Sequence, residues 1–135
     1  MNRKSDWLRV AEAELKTAQD LHRIGHYSWA CFTAQESAEK AFKAVLLHTS
    51  SRPTTHDMVD LLKTIVTKVK VPGDVVQAAN VLNRYYVATR YPDSFSSGAP
   101  AEKYSERDAK EATEPAKLIY EFCSATLGAA GPSAP

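Results

Sequence analysis

A chain of 135 residues with 44% hydrophobic and 24% charged residues is large enough for one domain, and buries roughly two thirds of its unfolded surface without disulfide or metal staples. Its 17 Lys plus Arg against 16 Asp plus Glu leave a formal net charge of +1. No global field selects nucleic acid or an anionic membrane, so any nucleic-acid reading must rest on a local patch. The two cysteines, Cys31 and Cys123, fall on apolar positions of helical patterns with no CxxC motif, which excludes a disulfide framework and suits a reducing compartment. The opening "MNRKSDW" leads into an amphipathic segment instead of an apolar signal region, and no stretch approaches the roughly 20 apolar residues of a membrane span. The expectation is a cytoplasmic protein with no membrane partner.

Leu8, Ala11, Leu15, Ala18 and Leu21 recur at helical spacing after Ser5 and Asp6, predicting a first helix over about 6 to 24 with Gly25 as its stop. Cys31, Ala34, Ala38, Ala41 and Val45 form the stripe of a second, over about 27 to 48, with Phe42 and Leu46 beside it, until "HTSSRPTT" breaks the pattern. Met58, Leu61, Leu62, Ile65 and Val69 share one face behind Asp57, a capping residue, and give a shorter third helix. After "VPGD", the residues Val75, Ala78, Ala79, Leu82, Tyr86 and Thr89 define the inward stripe of a fourth helix ending near Pro92. "YPDSFSSGAPAEKY" reads as a polar loop. Ser105 to Asp108 has the S-x-x-D capping pattern, and Ala109, Ala112, Ala116, Ile119, Cys123 and Leu127 face inward on a last helix that Pro115 should kink. Residues 128–135 read as a flexible tail behind a single domain over 1–127. The fold class is all-α, an up-and-down bundle of about five helices.

Gln35 lies inside the apolar arc of the second helix and Glu39 at its edge. Buried, such groups demand partners. Either they form a satisfied core pair, holding a neighbouring backbone or an arginine from another helix, or they serve a site. On the fourth helix Arg84 lies opposite the core stripe, in a ridge with Asn80, Val87 and Tyr91. Arginine and tyrosine together suit a protein interface, and equally suit phosphate or RNA, because guanidinium grips phosphate in a bidentate fork and tyrosine stacks on bases. His22 and His26 lie one turn apart, but Gly25 intervenes and no acidic ligand has suitable spacing, so they read as surface histidines and no metal is expected. His56, beside Asp57, belongs to the start of the third helix. No Glu-x-x-His pair, Gly-rich phosphate loop or G-x-S-x-G elbow is present, and no cofactor is expected.

The segments "DWLRVAEAELKTAQDL", "GHYSWACFTAQESAEKAFKAVLL", "RPTTHDMVDLL" and "LNRYYVATRYPD", in that order, resemble the HEPN family of small helical domains often encoded beside a minimal nucleotidyltransferase. The resemblance implies two long antiparallel helices, a homodimer and an arginine near the dimer cleft, a position that Arg84 occupies. Many members of that family are metal-independent ribonucleases whose motif is an arginine, then four to six intervening residues, then a histidine. Here those places hold Thr89, Arg90 and Tyr91, and the histidine is missing. Arg90 can stabilise phosphate but is a poor proton shuttle.

The resemblance therefore implies a homodimer that binds nucleotide or RNA phosphate through Arg84 and Arg90, with Tyr85, Tyr91 and Asn80 beside them and Gln35, Glu39 and Asp93 as supporting polar groups. It further implies a partner role to a nucleotidyltransferase subunit in a toxin-antitoxin-like pair. The alternatives are an endoribonuclease toxin with a degenerate motif, drawing on Arg84, Arg90 or Tyr91, and a dimeric scaffold without catalysis.

Overall fold

In the computed structural model, residues 3–53, 55–85, 98–99 and 102–130 are described. They form five helices in chain order: α1 (Lys4–Arg23), α2 (Tyr27–His48), α3 (Met58–Ile65), α4 (Gly73–Asn83) and α5 (Glu106–Ala130). No strand occurs among them, and none of the helices is long and apolar enough to cross a membrane. The all-α bundle expected from periodicity is the observed architecture.

The antiparallel α1 and α2 are closed by a tight turn. Gly25 takes φ +93°, and the N–H groups of Gly25 and His26 donate to the carbonyls of His22 and Leu21 at 3.3 and 2.9 Å. This is the six-to-one, five-to-two pattern of a Schellman end, which a residue without Cβ closes at no steric cost. The α1 start differs from expectation. The helix opens at Lys4, and Asp6 lies inside its first turn, where it accepts from Arg3 and Arg9 instead of capping. A carboxylate in that turn meets the positive end of the helix dipole and pairs with the cations at positions 3 and 9.

Helix α2 is the axis of the molecule and packs on all four other helices. Ala34, Ala38 and Ala41 are fully buried along it, and such small side chains let neighbouring helices approach closely. Ser37 is buried against α1, its hydroxyl donating to the Ala11 carbonyl at 2.7 Å. Phe42, Met58, Leu61, Ile65, Leu82 and Ile119 supply the bulk of the core from α2 through α5. At the rim of the α1 and α2 pair, Lys40 bridges Glu14 of α1 at 2.7 Å and Glu36 of its own helix at 3.3 Å.

The helix starts behave largely as the sequence implied. Asp57 caps α3, its side chain accepting from Val59 N–H at 2.9 Å and Asp60 N–H at 3.1 Å. Ser105 and Asp108 form a reciprocal capping box at the head of α5, with bonds of 2.8 and 3.3 Å. Helix α5 runs unbroken through Pro115 and on to Ala130, three residues into the stretch read as tail. Its head is tied to α1 by His22, which contacts the Glu106 carboxylate and meets the Tyr27 ring edge-on. His22 is thus a bridging residue, while His26 is exposed. The expected inward placement of Tyr86 and Thr89, and the end of the fourth helix near Pro92, lie outside the described residues.

The end of α2 repeats the turn of α1 without a glycine. Ser50 holds φ +62°, while Ser51 N–H donates to the Leu46 carbonyl at 2.7 Å and Ser50 N–H to that of Leu47 at 3.1 Å. Left-handed backbone penalises a residue with a Cβ. Ser50→Gly should therefore raise stability by up to about 1 kcal/mol, visible as a higher urea midpoint with an unchanged slope.

Candidate functional site

Gln35, Glu39 and Lys43 follow one another at four-residue intervals on α2, so they stack along a single face of the helix. All three are buried. Gln35 donates from Nε2 to Glu39 Oε1 at 3.4 Å, and Lys43 donates from Nζ to Glu39 Oε2 at 2.7 Å. The same carboxylate oxygen lies 2.7 Å from Nδ1 of His56, which stands just before the α3 cap. Lys43 Nζ is also 3.1 Å from that imidazole nitrogen and lies over the Trp7 ring, 5.5 Å from its centroid. A buried lysine is thus held by a carboxylate and an aromatic face together.

Burial works against an ionised Glu39, but the hydrogen bonds from Lys43 and His56 outweigh it and hold its pKa below the ordinary value. The group is therefore an anion at neutral pH. Gln35 and Glu39 are buried with their partners in place, a lysine and a histidine where the sequence suggested an arginine from another helix.

The end of α4 is fastened to the start of α3. Asn83 Oδ1 accepts from Met58 N–H at 3.1 Å, satisfying one of the N-terminal donors that a helix leaves open. His56 precedes Met58 by two residues and Arg84 follows Asn83, so this bond brings the Glu39 cluster and the arginine to one corner of the bundle. Arg84 caps α4 in helical backbone and is exposed, as is Asn80 one turn earlier. Unlike Arg3, Arg9 and Arg23, which pair with aspartates, Arg84 has no carboxylate partner among the described residues.

Tyr85 is placed differently from the sequence expectation. It is 8% exposed, belongs to the core and donates its hydroxyl to Glu111 Oε1 of α5 at 2.8 Å. Burial, then the bond to Glu111, pushes its phenol pKa up, so it remains a protonated donor. The reason is register: a residue three beyond Leu82 shares the core arc just as one four beyond does. Its ring packs near Tyr104, centroids 6.0 Å apart. Tyr85 thus buttresses the arginine from behind and is withdrawn from the exposed ridge. Arg90, Tyr91 and Asp93 lie outside the described residues.

Lys43 and His56 are the members that sequence reasoning missed. The four-residue spacing of Gln35, Glu39 and Lys43 was a signal for the first of them. Nothing in the sequence announced the second, because His56 reaches Glu39 only once the loop after α2 folds back. Among the described residues no group of three His, Cys, Asp or Glu side chains could hold a metal ion. Cys31 and Cys123 are free and buried, and burial, with Asp108 and Glu111 adding, pushes the Cys31 thiol up to about 12.

Because Glu39 is held below its unfolded pKa, its contribution to stability is present above about pH 4.3 and is lost as the pH falls through the lower folded value. Glu39→Gln should flatten that acid limb. It should also cost about 3 kcal/mol at pH 7, since it leaves the Lys43 ammonium buried without its counterion. Urea unfolding of both proteins between neutral and acid pH measures the two effects.

Comparison with known proteins places this geometry in a family. A Methanocaldococcus jannaschii protein named Putative toxin MJ1304 is 24% identical over 124 residues, covering 85% of this chain and 82% of that protein. The crystal structure of TT1696 from Thermus thermophilus superposes with a TM-score of 0.89 at 42% identity, over 94% of this chain and 100% of that one. The structure of ST0689, described as an archaeal HEPN homologue, gives 0.80 at 35% identity over 94% and 99%. An HEPN domain protein of Thermotoga maritima gives 0.73 at 28% over 91% and 98%. The family model of the HEPN domain matches residues 5–126, and the chain belongs to the HEPN family.

Proposed function

We propose that this HEPN domain binds the phosphate of a nucleotide or RNA through Arg84, as a homodimer that serves a nucleotidyltransferase in a toxin-antitoxin-like pair. The observation that carries the reading is the exposed Arg84 at the α4 cap, with no acidic partner among the described residues and a rigid foundation beneath it. Asn83 locks its backbone to α3 at 3.1 Å and Tyr85 anchors the next residue to α5 at 2.8 Å. A guanidinium on a fixed mount and without a carboxylate can fork a phosphate while losing little freedom. Asn80, one turn away on the same exposed side, supplies a neutral donor. Arg90, Tyr91 and Asp93 join the proposed site on sequence alone.

Kinship with a protein named as a toxin supports the toxin-antitoxin half of the proposal. The homodimer accords with apolar surface on α1 and α2. Trp29 is 58% exposed and packs edge-on against Phe32, centroids 5.6 Å apart, and Val10 is 44% exposed. Aromatic side chains of this kind anchor interfaces.

The test is a binding titration with a labelled 2′-O-methyl RNA oligonucleotide and with ATP. Arg84→Ala should weaken binding of at least one of them by about tenfold or more, the worth of a hydrogen bond to a charged group, while the helical circular dichroism stays as in the wild type. Light scattering should give twice the chain mass, and co-expression with a minimal nucleotidyltransferase should yield a co-purifying pair. Equal binding by wild type and variant removes Arg84 from the reading, and a monomer removes the homodimer.

A further inference from the structure

Helices α4 and α5 pack against each other and leave a groove of about 350 Å³ between them. Its floor is apolar, made by Ala78 and Val81 of α4 and by Pro115 and Leu118 of α5, and its rim carries Asp74, Glu111 and Glu114. We propose that this groove docks an amphipathic helix of a partner protein, which seats two apolar side chains on the floor and an arginine or lysine on the rim. The groove uses neither Arg84 nor the α1 and α2 surface given to the homodimer, so it stands or falls apart from both.

The floor follows from residue size. Ala78 is 4% exposed and ends at its Cβ, so the space beside it stays open. Val81 and Leu118 pack on the core while keeping part of their apolar surface outside it, and Pro115 is half-buried. The lining runs from Asp74 to Val81 and from Glu111 to Leu118, two turns of helix or about 10 Å. That length takes an apolar pair at i and i+4 of a third helix, the way amphipathic helices lie in grooves.

The rim decides the charge of the occupant. Asp6, Asp20, Glu36, Glu39 and Asp60 each pair with a lysine or arginine, whereas Asp74, Glu111 and Glu114 pair with no cation among the described residues. Lys110 and Lys117 lie about 100° and 120° round α5 from Glu111, off the groove, and Arg107 precedes the lining by one turn. Glu111 is already oriented, its Oε1 accepting from the Tyr85 hydroxyl at 2.8 Å.

Pro115 adds an acceptor from the backbone. Proline has no N–H, so in a helix that runs unbroken through it the Glu111 carbonyl lacks its usual donor four residues on. Both residues line the groove. Apart from Gln77, the polar groups here therefore accept and do not donate. Lysine brings three N–H donors and arginine five, with no acceptor to clash, while a phosphate or an acidic segment meets like charge. An inorganic cation would answer the rim and leave the floor uncovered. A basic amphipathic helix answers both.

The experiment measures fluorescence anisotropy with three labelled peptides of about four turns. The first carries leucine at i and i+4 and arginine at i+3 and i+7, the second is a scramble of the same composition, and the third replaces each arginine with glutamate. The wild type should bind the first at least about tenfold more tightly than either control, and added salt should weaken that binding. Glu114→Lys, a change at an exposed position, should weaken the first peptide by about tenfold and strengthen the glutamate peptide, with helical circular dichroism as in the wild type. No binding of the first peptide, equal binding of the scramble, or equal binding by wild type and Glu114→Lys overturns the proposal. So does light scattering without peptide that shows an assembly which Glu114→Lys takes apart, since the groove would then hold another copy of this chain.

Discussion

One buried negative charge organises this protein. Glu39 sits on the central helix and carries a full charge where the core would otherwise be apolar, so every element near it has had to answer. Lys43 neutralises it from the next turn, Gln35 fills its second oxygen, and His56 reaches it from beyond the end of α2. Such a cluster is costly to assemble and costly to break, because removing Glu39 or Lys43 strands the buried charge of the other. Through His56 it ties the chain that follows α2 back onto that helix.

A second set of fastenings works from the other side of α4. Asn83 caps α3, and Tyr85 donates to Glu111 of α5. The two residues that flank Arg84 in sequence therefore point into different neighbours, and Arg84 between them is left to point outward. Three consecutive residues with three destinations is what a helix of 3.6 residues per turn provides at its edge. The exposed arginine is a product of that periodicity and of its neighbours' commitments.

Much of the fold could be read directly from the chain, because its helices state their own limits. The glycine after α1, the aspartate before α3 and the Ser105 to Asp108 box mark boundaries through local hydrogen bonds that depend on a few adjacent residues. The Ala stripe of α2 likewise declared itself through spacing alone. The candidate site was less legible. Whether Tyr85 or its neighbour turns inward depends on tertiary packing, since residues three and four past Leu82 both border the core. The His56 contact spans 17 positions and depends on how a loop closes, which periodicity does not encode. Arg84 stood out through the crowding of arginine and tyrosine at a helix end and through the family resemblance.

The cysteines carry a consequence of their own. Cys31 lies on α2 close enough to Tyr85, Asp108 and Glu111 for their charges to bear on one another, and Cys123 is fully enclosed on α5. Neither thiol ionises readily in the closed bundle, and only a thiolate reacts at speed. The pair therefore acts as a native clock for opening: the rate of alkylation at Cys31 would record how often the helices packed on α2 part from it, while alkylation at Cys123 would record the parting of α5 from the rest.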